Sequence, residues 1–202
     1  MPESLVRKIN MREAKNLIGS LAENNHYLVS FTSLGPELSQ YLRAYSGVGN
    51  LGDFLSRRAG ILCTDAVLPT TSYATGEVKD NFMGVPQQFA HTRIYTDTDF
   101  TFYIDKDYTL LKIFEGWMEY IGSGGGIRQD TTSYYRRMRY PDSYKVNTMY
   151  INKFEKDYER TIRYRFVNAF PKAMANIPVT YGSAELLKVT VSFNYDRYIV
   201  RG

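Results

Sequence analysis

The chain has little of the chemistry from which sites are usually built. Its 202 residues hold one cysteine, Cys63, and two widely separated histidines, His26 and His91. A lone thiol excludes an intramolecular disulfide, and its neighbours Ile61 and Leu62 mark it as a buried small hydrophobe. Zinc needs clustered imidazole or thiolate ligands, which this inventory does not supply. No run approaches the ~20 apolar residues of a membrane span, and the N-terminal stretch lacks a continuous apolar core of signal-peptide length. The expectation is a soluble, intracellularly made protein with no membrane partner.

Catalytic motifs are also missing. Neither histidine sits in a nucleophile motif, and there is no Gly-x-Ser-x-Gly elbow. The run Gly122 to Gly126 follows a helical pattern and no Gly-Lys-Ser or Gly-Lys-Thr comes after it, so it is a connector and not a phosphate loop. Asp97, Asp99, Asp105 and Asp107 lie close together, but the stretch from Asp105 lacks the central glycine and terminal glutamate of a calcium loop. Strand-end and helix-cap roles account for them. Paired carboxylates for glycosidase chemistry have no positive support, and the expectation is no enzyme, no cofactor and no metal.

What is abundant is aromatic surface. Eighteen tyrosines and 11 phenylalanines accompany 44% hydrophobic residues, enough to fill the core of one domain spanning 1–202. Charge is uneven: residues 128–165 hold ten basic side chains against five acidic ones, within a chain of net charge +4. An electrostatic partner would meet this segment first.

Periodicity supplies the elements. Asn10 and Glu13 form a capping-box pattern before Met11, Ala14, Leu17, Ile18 and Leu21, which predicts a helix over 11–23 within an N-terminal arm, 1–25. Residues 26–32 read as a strand. Residues 33–60, irregular and glycine-rich around a short helical pattern at Leu38, Tyr41 and Leu42, read as an insertion. Ala59 to Leu68 returns to strand character. Residues 70–88 suit a long hairpin or extended loop, followed by strands at 89–95 and 98–104 with a tight connection at Thr96-Asp97.

Leu110, Leu111, Phe114, Trp117, Met118 and Ile121 fall at three- and four-residue spacing, predicting an amphipathic helix over 107–121 capped by Asp105 or Asp107. The stretch 122–147, glycine-rich and then basic and tyrosine-rich, has no period and reads as a mobile or partner-ordered loop. Strands are predicted at 148–154 and 164–169, then a proline-bounded stretch to Pro178. One long last strand over 186–200 places Val189, Val191, Phe193 and Tyr195 on one face. Within SYYRRMRYPDSYK, residues 133–145, arginines interleave with tyrosines, as in surfaces that stack on single-stranded bases. The same residue types are enriched at protein interfaces.

In order and spacing, HYLVSF, GILCTDAVLP, TRIYTDTDFTFYIDKDYTLLKIFEGWMEYI and FVNAFPKAMANIPVTYGSAELLKVTVSFNYDRYIV resemble the tail tube proteins of contractile-tailed bacteriophages. The resemblance covers 26–32 and 60–200. It implies a mainly β protein with α additions: an antiparallel β-sandwich or small barrel flanked by one helix, with the N-terminal helix outside the minimal pattern. It further implies homohexameric rings stacked into a tube, a ring fold shared with type VI secretion tubes.

The implied partners are further copies of the chain, the tail sheath, and baseplate and tail-terminator proteins. Double-stranded genome DNA would pass through the lumen without specific binding. The implied location is the virion tail, after assembly in the host cytoplasm. Tyr73, Val78, Phe82, Tyr134, Tyr135, Arg137, Arg139, Tyr195 and Tyr198 are the expected interface side chains, with 70–88 reaching a neighbouring ring. The N-terminal helix, 33–60 and 127–145 exceed the minimal family pattern and would also suit a baseplate-proximal ring that initiates the tube. A nucleic-acid-binding module using 133–145 is the alternative of another class.

Overall fold

The computed structural model describes residues 11, 22–32, 34–79, 84–122, 137–156, 158–159, 161–182 and 184–202. The predicted capping box and nearly all of the helix expected over 11–23 lie outside them. In chain order, β1 (Tyr27–Phe31) leads to α1 (Pro36–Ser46). A helical stretch follows, made of α2 (Leu51–Asp53), a π-helical turn (Phe54–Arg58) and α3 (Ala59–Leu62). Next come β2 (Cys63–Ala66), β3 (Thr71–Val78), β4 (Gln87–Tyr95), β5 (Thr98–Tyr103) and α4 (Thr109–Ile121). The chain ends with α5 (Pro141–Tyr144), β6 (Met149–Phe154), β7 (Thr161–Val167), β8 (Phe170–Met174), β9 (Lys188–Asn194) and β10 (Arg197–Arg201).

Two four-stranded antiparallel sheets carry the fold. Sheet I has the order β1-β6-β7-β10 and sheet II the order β2-β5-β9-β8. Alternation along each strand gives each sheet one apolar face, and the two apolar faces meet. Phe166 of sheet I meets Phe100 of sheet II edge-on, with Tyr195 against the same ring. At the other end α4 packs on the sandwich, setting Phe114 against Phe31, Phe102 and Phe193. The expected β-sandwich with a flanking helix is the observed architecture.

The predicted helix starts at Thr109, two residues late, because Tyr108 adopts a left-handed φ of 54°. Tyr108, not Asp105 or Asp107, holds the N-cap position, while Asp105 accepts from the Leu110 amide of the first turn at 3.4 Å. The apolar stripe buries Leu110, Phe114 and Trp117, but Ile113, Gly116 and Tyr120 are buried as well. Those extra positions face α1, whose Leu42 and Tyr45 close over Gly116. Residues 36–62 thus contribute Leu38, Leu42, Leu51, Phe54, Leu55 and Ala59 to the one hydrophobic core.

Three strand assignments change. The strand expected over 59–68 is only Cys63–Ala66, because the helical stretch runs on through Leu62. Gly60 makes this possible, since its bare Cα rests on the Val29 carbonyl and the Leu28 side chain where a Cβ would not fit. The proline-bounded stretch contains a strand, β8, on a sheet edge with Pro171 opposite Phe193.

The long last strand is two strands in different sheets. The break falls at Asp196, whose amide donates to the Val167 carbonyl and whose carboxylate accepts from Lys145 and Asn168. Val189, Val191, Phe193 and Tyr195 are nevertheless all buried, so the alternation carries across the break.

Candidate assembly interface

The strands flanking Thr96-Asp97 do not pair with each other. β4 pairs with β3, and β5 pairs with β2 and β9. The β2–β5 ladder therefore continues outward as a two-stranded ribbon, β3–β4, that belongs to neither four-stranded sheet. Every residue of β4 except Tyr95 is exposed. A two-stranded ribbon wetted on both faces is marginally stable by itself.

Its two faces differ. Cross-strand register puts Tyr73 beside Arg93, Gly76 beside Phe89 and Val78 beside Gln87. The register shift at Ala74-Thr75 leaves His91 as an extra residue of β4 without a partner, while β3 keeps its alternation, so Val78 shares the face of Phe89 and Tyr73 lies on the other face with Arg93. Phe89 lies over Gly76, where a Cβ would come within 2.8 Å of the ring, and His91 lies beside it. Tyr73 and Phe89 are 57% and 51% exposed, so each face of the ribbon presents a ring to solvent. Ser72, Ile94 and Thr92 continue the Phe89 face, and Thr75, Ala90, Glu77 and Gln88 continue the Tyr73 face.

The base of the ribbon is fixed by aromatic rings. Tyr95 meets Tyr195 and Tyr198 edge-on, and Tyr198 also touches Tyr164. Asp97 ties the next turn to sheet II by accepting from Lys172 and Asn194. Burial raises the Asp97 carboxyl, but these hydrogen bonds together outweigh it and hold the group below its ordinary value. Asp99 likewise accepts from Ser192. The clustered aspartates therefore act at turns, strand contacts and the first turn of α4, and the described residues hold no group of three metal-ligating side chains.

Of the expected interface residues, Tyr73 and Val78 are exposed on the ribbon and Arg137 is exposed beyond α4. Phe82, Tyr134 and Tyr135 lie outside the described residues. Tyr195 is a correction: it is 5% exposed and part of the core, because the turn after β9 points it between the sheets. Burial pushes its phenol up to about 12. Tyr198 is half-buried against the ribbon base.

Arg139 is drawn inward, its guanidinium 4.0 Å from the Tyr120 ring centroid and its amide donating to the Ile121 carbonyl. With α5 held by Trp117, the described part of the basic loop packs against α4. Sequence reading passed over Phe89 and Ile94 as surface residues. It also missed the alternating arginines of β7 and β10, whose signal is the spacing Arg163, Arg165 and Arg197, Arg201.

No helix among the described residues is long and apolar enough to cross a membrane. Burial pushes the Cys63 thiol up to about 12, so this thiol is an inert core group.

Comparison with solved structures places this fold among tubular assemblies. The sheath/tube terminator of an extracellular contractile injection system aligns with a TM-score of 0.58 at 12% identity, over 92% of this chain and 99% of that one. The tube-terminating cap of the anti-feeding prophage gives 0.56 at 11% identity, over 90% and 91%. A chain of the sheath-tube complex of the injection system gives 0.51 at 12% identity, over 93% and 96%. At such identities these likenesses establish the fold. No individually curated protein matches the sequence. A family model described as phage tail tube protein matches residues 22–201, nine-tenths of the sequence, and the chain belongs to that family.

Proposed function

We propose that the chain assembles as hexameric rings that stack into the tube of a contractile tail, the conduit through which genome DNA leaves the particle. The observation that carries this reading is the β3–β4 ribbon, whose exposed rings, Phe89 on one face and Tyr73 on the other, lie open beside a closed sandwich core. In a stack of rings it would reach the adjacent copy and cover Tyr73, Val78 and Phe89. Sheets of neighbouring subunits would continue into one another, removing the open edges that β1, β2, β8 and β10 present in the single chain.

The sheath, the baseplate and a terminator are the partners of such a tube, and assembly takes place in the host cytoplasm. The chain has a structural role and performs no catalysis. Arg139, from the tyrosine-rich segment read as a base-stacking surface, instead packs on Tyr120, which favours the tube reading over a nucleic-acid module.

Electron microscopy of the purified full chain tests the proposal. Six-fold rings that stack into tubes are the expected result. Closed rings that never elongate would make the chain an end ring of the tube. A monomer whose DNA affinity falls steeply with salt would replace the reading with a nucleic-acid module.

A further inference from the structure

The two outward faces of the sandwich carry opposite chemistry. Register across sheet I aligns Leu28, Asn152, Arg163 and Arg201 in one row, and Ser30, Tyr150, Arg165 and Ile199 in the next. The inward rows between them hold Val29, Ile151, Phe31, Met149 and Phe166, all buried, so the arginine rows point away from the core. Arg197 lies beside Val167 on the same outward side. Four arginines thus share a face whose strand positions carry no carboxylate.

Arg163 stands directly opposite Arg201, an arrangement that costs stability in an isolated sheet. Two of the four are braced from behind. Arg163 Nε donates to Asn152 Oδ1 at 2.7 Å with its guanidinium over the Tyr150 ring, and Arg165 Nε donates to the Asn147 carbonyl. None of the four makes an ion pair among the described residues. Sheet II is different: its outward rows hold Asp65, Thr101 and Thr190, then Asp99 and Ser192, with Tyr103 and Lys188 at the end. Thr101 and Thr190 hydrogen-bond each other, and Ser192 donates to Asp99.

We infer that the arginine face of sheet I is a docking surface for an acidic segment of the protein that encloses the tube, and that the hydroxyl-rich face of sheet II is turned to the lumen. The inference rests on the tube reading given above. Braced, unpaired guanidinium groups in repeating rows match carboxylates well, since each terminal fork accepts a bidentate partner. Phosphates would match them too, but rings of arginines lining the channel would bind passing DNA through counterion release and hold it there. A conduit needs the weakly charged face inside.

The test uses the full chain and two labelled probes, poly-L-glutamate and duplex DNA, co-sedimented with assembled protein at low and at physiological salt. Poly-L-glutamate is expected to bind wild-type tubes. Arg163→Ser combined with Arg201→Ser should weaken that binding roughly three- to tenfold, as for two exposed ion pairs. Tube yield should stay unchanged, and Lys188→Ser on the other sheet should leave binding unaltered.

Unchanged poly-L-glutamate binding in the double variant overturns the inference. So does selective loss of duplex DNA binding, or a folded double variant that no longer forms tubes, which would make these arginines a contact between copies. If wild-type chain forms no tubes, the tube reading fails, and binding of poly-L-glutamate to the dispersed chain decides the arginine face alone.

Discussion

The indole Nε1 of Trp117 donates to the main-chain carbonyl of Tyr144 at 3.1 Å, so the one tryptophan of the chain joins α4 to α5. Its ring is fully buried against Phe193 of sheet II. Helix, sheet and the end of the basic loop therefore meet at one side chain.

Trp117→Ala should lower unfolding free energy by about 3–5 kcal/mol, through lost burial and the cavity left behind. Trp117→Phe should lose less, keeping part of the packing but leaving the Tyr144 carbonyl unpaired. Denaturant titration followed by circular dichroism reads both. Unchanged midpoints would contradict the packing of α4 on the sandwich.

Two glycines should respond differently to the same small change. At Gly60 a methyl would strike the Val29 carbonyl, which is backbone, so Gly60→Ala is expected to cost about 1–3 kcal/mol. At Gly116 it would meet the Tyr45 ring at 2.8 Å and a Leu42 methyl at 3.2 Å, side chains and not backbone, so the neighbours must shift but the main chain need not. Alanine there also gains about 1 kcal/mol of helix propensity. Thermal melts should rank Gly60→Ala well below Gly116→Ala.

The ribbon should matter to assembly and little to the fold of the single chain. Tyr73→Ser with Phe89→Ser removes two exposed rings, and the expected stability change is within about 0.5 kcal/mol. Sedimentation and micrographs should show the stacked species lost. Tubes forming normally from this variant would rule out the exposed rings of the ribbon as the contact.

Stability should fall on the alkaline side. Burial pushes the Cys63 thiol from 9.0 and the Tyr195 and Tyr27 phenols from 10.0, each up to about 12. These acids are neutral when protonated, so as pH climbs the unfolded chain releases their protons first. Their contribution is complete below about pH 9 and is lost progressively between about 9 and 12. Urea midpoints measured from about pH 8 to about pH 11 should decline steadily. The Tyr195 hydroxyl has no hydrogen-bond partner among the described residues. Tyr195→Phe should therefore leave the midpoint at neutral pH unchanged or raise it by up to about 1 kcal/mol equivalent, and should flatten the alkaline decline.

Much of the core was legible because burial has a period. The stripe of α4 and the alternation from Val189 to Tyr195 located the buried face of a helix and of a strand without any coordinates. Boundaries were less legible where a local feature overrode the period. Tyr108 in a left-handed conformation, Gly60 against a carbonyl and Asp196 between Lys145 and Asn168 each ended or displaced an element that the pattern would have continued. The candidate interface was half visible: Tyr73 and Val78 stand out as apolar residues in a polar stretch, but which of them shares a face with Phe89 depends on pairing across the hairpin.

By itself the sequence determined the class of molecule: a β-rich aromatic core, one amphipathic helix, no set of catalytic or metal ligands, and a family pattern running along most of the chain. These follow from local spacing, which periodicity records directly. Tertiary structure alone decided that Tyr195 is core, that Arg139 folds back onto Tyr120, and that Arg163 and Arg201, 38 positions apart in sequence, share a row on one outward face. Which strands become neighbours depends on the summed packing of the whole core, and no segment carries that information alone.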